Sequence, residues 1–174
     1  MKKKSSSKKR ISKTVQPSDR RDKSLRDHLL YLLKGGGAHI SFDDAIGDWT
    51  LQLAGVKVAN FPHTAWMLLE HMCLAQWDIL DFSRNSKHVS PPWPEGYWPA
   101  APTPPDEKAW TASMAAFKKD LGTMQRLVSD RTVDLYTPIP WGDGQTILRE
   151  ALLLADHNAY HLGQLVMLRK SIGI

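Results

Sequence analysis

Two histidines in the segment Asp156-His157-Asn158-Ala159-Tyr160-His161 stand four residues apart. On a helix that spacing puts both rings on one face, one turn apart, where two imidazoles can turn toward a single ion. The spacing alone is a weak signal, because many helices carry such a pair by chance, and a surface pair or two hydrogen-bonded core rings would satisfy it equally. His71 strengthens it. It lies on the stripe Met67, Leu74, Phe82 of a separate apolar helix. A neutral imidazole on a buried face needs a partner for each nitrogen. Three histidines on two long helices, all edging the core, are what a three-nitrogen site with open coordination positions requires. Three neutral ligands leave the full charge of a divalent ion to polarise a bound water or thiol. The reading is therefore one divalent metal ion held by His71, His157 and His161.

Asp78 and Gln164 are the candidate supporting residues. Asp78 sits two turns beyond His71 on the same stripe, where an unpaired carboxylate costs several kcal/mol. It either accepts a hydrogen bond from a ligand imidazole or pairs with a basic residue at the end of the helix; both readings stand. Gln164 and Glu150 lie beside the histidine pair on the helical wheel, and Asp78 or Gln164 is placed to orient a bound water or thiol. Glu70 and Asp156 are expected to be solvated charges. His28 lies beside an apolar run and can approach the site. His39, His63 and His88 fall in loops or caps and read as structural or exposed. Cys73 points to a different face from His71 and reads as a small buried apolar residue. Phosphate-cradling glycine loops, a nucleophile elbow and the HExxH pattern are all absent from the sequence.

The elements that must position these residues are helical. Leu25, Leu29, Leu32 and Leu33 recur at helical spacing over residues 18–34, and Gly35-Gly36-Gly37 ends that run. Ser41 with Asp44 reads as a capping box opening a short helix over residues 42–53. A second long helix covers residues 62–84. A proline-dense stretch from Pro91 to Pro105 excludes helix, and Trp93, Tyr97 and Trp98 are expected to pack back onto the body. Thr103, Pro104 and Asp106 read as the start of a third long helix reaching residue 130. An extended piece over residues 133–139 precedes a last helix over residues 145–170. Four long amphipathic helices without alternating strands predict an all-α four-helix bundle with long, Pro/Trp-rich connections.

The chain has 174 residues, 42% of them apolar, and a net charge of +5. That size suits one domain with a core of its own. Residues 1–13 hold six Lys and one Arg without an acid, so the remainder carries −2. Residues 1–17 read as a disordered basic tail and residues 18–174 as the folded domain. No specific nucleic-acid partner and no membrane partner is expected. The single Cys73 rules out a disulfide within the chain, and with no apolar signal segment a cytoplasmic location is the expectation. Seven tryptophans are expected to need burial, in the core or between two copies.

Nearly the whole folded part, about Leu25 to Gly173, resembles the DinB-like (DinB/YfiT-like) metal-dependent four-helix-bundle superfamily. LRDHLLYLLKGGGAHISFDDAI is similar to that family's first helix and following turn. TAWMLLEHMCLAQWDIL is similar to the helix with the first ligand histidine, here His71. LLLADHNAYHLGQLVMLRK is similar to the closing helix with the other two, here His157 and His161. The HxxxHxGQ pattern over residues 157–164 is the most specific part, and PPWPEGYWP resembles one branch of the family. The resemblance implies one zinc or nickel ion, a homodimer, and a thiol S-transferase or hydrolase acting on a small-molecule substrate such as a thiol. It does not carry a substrate over. A metal-binding or stress-response bundle without enzyme activity is the alternative.

Overall fold

The computed structural model describes residues 17–35 and 37–174. Of the basic tail expected over residues 1–17, residues 1–16 lie outside the described residues, as does Gly36, while Pro17 belongs to the first helix. Six α-helices and one short 3-10 turn make up the described chain, and it contains no strand. They are α1 (Pro17–Lys34), α2 (Phe42–Ile46), α3 (Leu51–Ala54), α4 (Ala65–Phe82), the 3-10 turn Glu95–Tyr97, α5 (Glu107–Ser129) and α6 (Ile147–Ile172). The protein is all-α. Among the described residues, no helix is long and apolar enough to cross a membrane.

The helix ends follow local chemistry. Gly35 takes φ +67° and closes α1, a conformation that a Cβ disfavours. Thr64 caps α4 by accepting from the Met67 amide, and its hydroxyl donates to the Pro102 carbonyl at 2.6 Å. Thr146 caps α6 through the Arg149 amide, and Gly173 ends it at φ +80°. The Ser41 hydroxyl accepts from the Asp44 amide and donates to the Asp44 carboxylate, which opens α2.

Several sequence expectations need correction. The helix expected over residues 42–53 is two short helices, because Thr50 opens a new cap by accepting from the Leu53 amide. The third long helix starts at Glu107, capped by Asp106 through the Ala109 amide at 2.7 Å. Thr103 cannot be the cap, since Pro105 forces the preceding Pro104 away from helical backbone. The extended piece before α6 forms one isolated bridge, Pro138 to Thr146, and no strand.

α4 packs against both α5 and α6, and α1 lies against α5 and α6. Two apolar clusters form the core. One joins Leu69 and Met72 of α4 with Phe117 of α5 and Leu162, Leu165 and Leu168 of α6. The other joins Leu29 and Leu33 of α1 with Ile79 of α4, Met124 and Val128 of α5 and Ala151 and Leu154 of α6. The first half of α4 therefore shares a cluster with the second half of α6, so the two helices run antiparallel. His71 lies near the middle of α4, and His157 and His161 lie between Leu154 and Leu162 on α6. All three stand where one cluster passes into the other. Arg26, 6% exposed, ties α1 to the end of α5 by donating to the carbonyls of Val128, Asp130 and Val133.

Candidate metal centre

The antiparallel pairing of α4 and α6 sets His71 opposite His157 and His161. The Nε2 of His71 lies 3.0 Å from that of His161 and 3.1 Å from that of His157. The three rings form a compact group whose donor atoms all lie within 4.8 Å of one another, and it could hold a metal ion. His71 and His161 are buried and His157 is half-buried. Among the described residues, this group contains no carboxylate or thiol as a fourth member.

Two of the three rings have their tautomers set from behind. His71 donates its Nδ1–H to the main-chain carbonyl of Tyr97 at 2.8 Å. His161 donates its Nδ1–H to the Gln164 side-chain oxygen at 2.7 Å. Each neutral ring then presents a bare Nε2 lone pair to the centre. The His157 Nδ1 is buried without a partner. Two lone pairs 3.0 Å apart repel unless a proton or a cation lies between them. A proton is disfavoured at neutral pH. Burial, aided by the charges of His161 and His71, pushes His157 down to about 3. Burial also pushes His161 down to about 4, with Gln164 opposing and His71 and His63 adding to the fall. His71 is lowered too, by burial, against the effect of the Tyr97 carbonyl. An ion bound tetrahedrally at about 2.0–2.1 Å from each nitrogen sets them about 3.3 Å apart. The two contacts of His71 fit a divalent cation with a slight outward movement of the ring.

Aromatic rings and amides complete the setting. Trp98 stacks on His71 with centroids 4.0 Å apart and planes at 5°. His63 stacks on the other face of Trp98 at 3.9 Å and 14°. Asn158, next to His157, donates to Gln76 of α4, and Gln76 donates to the Phe117 carbonyl of α5 at 2.7 Å, which ties the three helices together at the level of the site. A cavity of about 540 Å³ opens beside the site, lined by Phe61, His63, Leu68, Tyr160, Gln164 and Met167 among others.

The predicted supporting residues fall in different places. Gln164 holds His161. Asp78 touches none of the three rings; its carboxylate accepts from His88 and from the Tyr97 hydroxyl. Of its two readings, the pairing with a basic residue is the one present. Glu150 is buried and pairs with Arg149, and Glu70 accepts from Ser113. Asp156, His28 and His39 are exposed. Of the structural and exposed readings of His88 the structural one is present, since its side chain is 3% accessible between Asp78 and Asp81. Tyr97 and Trp98 pack inward, whereas Trp93 is 74% exposed and meets Tyr97 edge-to-face. Trp77 and Trp141 are also exposed, so burial of all seven tryptophans does not hold in the single chain. The Tyr97 carbonyl, a main-chain atom, had no signal in the sequence. A family comparison, a search of curated proteins and a search of solved structures each find no match for this chain.

Proposed function

We propose that this chain is a metal-dependent enzyme on a four-helix bundle of the DinB/YfiT-like kind, holding one zinc or nickel ion through His71, His157 and His161. The carrying observation is the approach of His71 Nε2 to those of His161 and His157, at 3.0 and 3.1 Å, with two of the rings locked to present lone pairs. Imidazole nitrogen suits both metals. A set of three protein ligands is the pattern of catalytic rather than structural sites. The reaction is thiol S-transfer or hydrolysis on a small molecule.

When bound, the ion supplies Lewis acidity that lowers the pKa of a water or thiol beside it. The chain supplies the rest. The Tyr97 carbonyl and Gln164 hold His71 and His161 in register, and Trp98 shields one face of His71 from water. The cavity beside Gln164 accepts the organic part of the substrate against Phe61, Leu68 and Met167. His63 lines that cavity, and burial together with the charge of His71 lowers its pKa, so it stands neutral and ready to accept a proton. The homodimer would cover the groove between α1 and α6 where Tyr31, Leu32 and Leu152 are exposed.

The test is a screen of reduced low-molecular-weight thiols with electrophiles, and of small esters, using zinc-loaded, nickel-loaded and metal-free protein. Metal-dependent turnover supports the enzyme. Metal uptake that raises thermal stability without turning over any thiol or ester supports a bundle that binds metal without catalysis.

A further inference from the structure

We propose that His88 is a positioning residue for the metal triad: a buried ring bridging Asp78 and Asp81 that, through Tyr97, sets the orientation of His71. The inference rests on the metal-site reading above only for its metal readout. Its structural claim concerns the ring of His71 itself.

The loop that leaves α4 carries His88 back against the helix. Its Nε2 lies 2.8 Å from Asp78 Oδ1 and its Nδ1 lies 2.7 Å from Asp81 Oδ2. A carboxylate only accepts, so both contacts are bonds when both ring nitrogens carry hydrogen. Each carboxylate also accepts from a second donor, Asp78 from the Tyr97 hydroxyl at 2.8 Å and Asp81 from the Asn85 amide at 3.0 Å. Each carboxylate thus serves two donors at once. The Ser90 hydroxyl lies 3.2 Å from Nε2, the rings of Trp77 and Phe82 pack at 5.5 and 6.2 Å, and Arg84 acts on Asp81 from the helix end. A ring so covered needs a partner for each nitrogen, and the two carboxylates supply them.

Asp78 passes this arrangement toward the site. It stands two turns from His71 on α4, and the Tyr97 side chain spans the gap. The hydroxyl of Tyr97 is fixed at Asp78, while its main-chain carbonyl receives the Nδ1–H of His71. The next residue, Trp98, lies flat on the same imidazole. Two consecutive loop residues thus fix His71, one in the plane of its ring and one on its face. Among the described residues, the hydrogen-bond partners of the Asp78 side chain are His88 and Tyr97. Without His88, Asp78 and Asp81 lose the ring that bridges them three residues apart on one helix face. Asp78 then turns to water, the Tyr97 hydroxyl loses its anchor, and the carbonyl no longer selects the tautomer of His71.

The experiment compares the full chain with His88→Gln, Tyr97→Phe and His71→Ala. Histidine side-chain nitrogen NMR on metal-free protein reads the tautomer of His71. Competition with a chelator for zinc, and the visible spectrum of the cobalt-loaded protein, read the site. His71 is expected in the Nδ1–H form in the parent, with a substantial Nε2–H population in both His88→Gln and Tyr97→Phe. Zinc affinity is expected to fall about 10- to 100-fold in each, with an altered cobalt spectrum. Tyr97→Phe keeps the whole loop and its carbonyl, so it decides the matter if His88→Gln does not fold. An unchanged His71 tautomer in a folded variant overturns the proposal. Failure of the parent to bind zinc or cobalt overturns the metal-site reading instead, and the tautomer still decides the role of His88.

Discussion

The Nε2 atoms of His71 and His161 lie 3.0 Å apart, and each ring has already given its one hydrogen to an acceptor on the far side. Neither can donate to the other. The contact is unfavourable in a neutral, metal-free chain and favourable around a cation.

Removing the acceptor behind His161 weakens the site without deleting a ligand. Gln164→Leu frees the ring to adopt the other tautomer, and zinc affinity is expected to drop about 10- to 100-fold. Chelator competition on the purified variant measures it. Affinity equal to the parent would remove Gln164 from the account.

Acid should destabilise the metal-free chain earlier than its carboxylates alone would. His157 and His161 bind protons at about 3 and about 4 in the folded chain, below the unfolded value of about 6.5. The unfolded state therefore binds more protons as pH falls. The stability these two neutral rings contribute is whole above about pH 6.5, declines below it, and is spent near about 3. The slope reaches about 1.4 kcal/mol per pH unit for each ring. Urea unfolding between pH 7 and 5 should show this slope, and His157→Gln with His161→Gln should flatten it.

Much of this arrangement was legible in the sequence, and the parts that were not share a cause. The i,i+4 pair on α6 and the apolar stripe around His71 reveal the three rings because helical periodicity fixes their faces. The caps at Ser41 and the glycine after α1 were readable because they are local. His88 and His63 were not, since a loop residue acquires burial only from where the loop returns: His88 comes back onto α4, and His63 meets Trp98. Asp78 reads as a misplaced charge on an apolar stripe, but its partner ten residues away in a loop carries no periodic signal. The Tyr97 carbonyl is a backbone atom and has no residue type to read.

The α1–α5 junction offers a control unrelated to metal. Arg26→Met keeps bulk but leaves the carbonyls of Val128, Asp130 and Val133 without their donor. A loss of about 2–4 kcal/mol is expected in denaturant unfolding, with metal content per folded chain unchanged. Parent-like stability would contradict the role given to this residue.

Cys73 should be inert in the native state. Burial, together with the charges of Glu70 and Asp120, raises its pKa well above the usual thiol range, and its Sγ donates to the Ser113 carbonyl. Thiol-reactive dye should label it only as the chain opens, in step with unfolding. Rapid labelling of the folded protein would contradict this.

The most direct measurement is the metal content of the full chain purified without a nickel column, beside single alanine variants of His71, His157 and His161. About one zinc or nickel ion per parent chain is expected, and its loss in each variant while helical content is retained. A parent chain that stays metal-free after exposure to both ions, or a folded His71→Ala variant that keeps its ion, would contradict it.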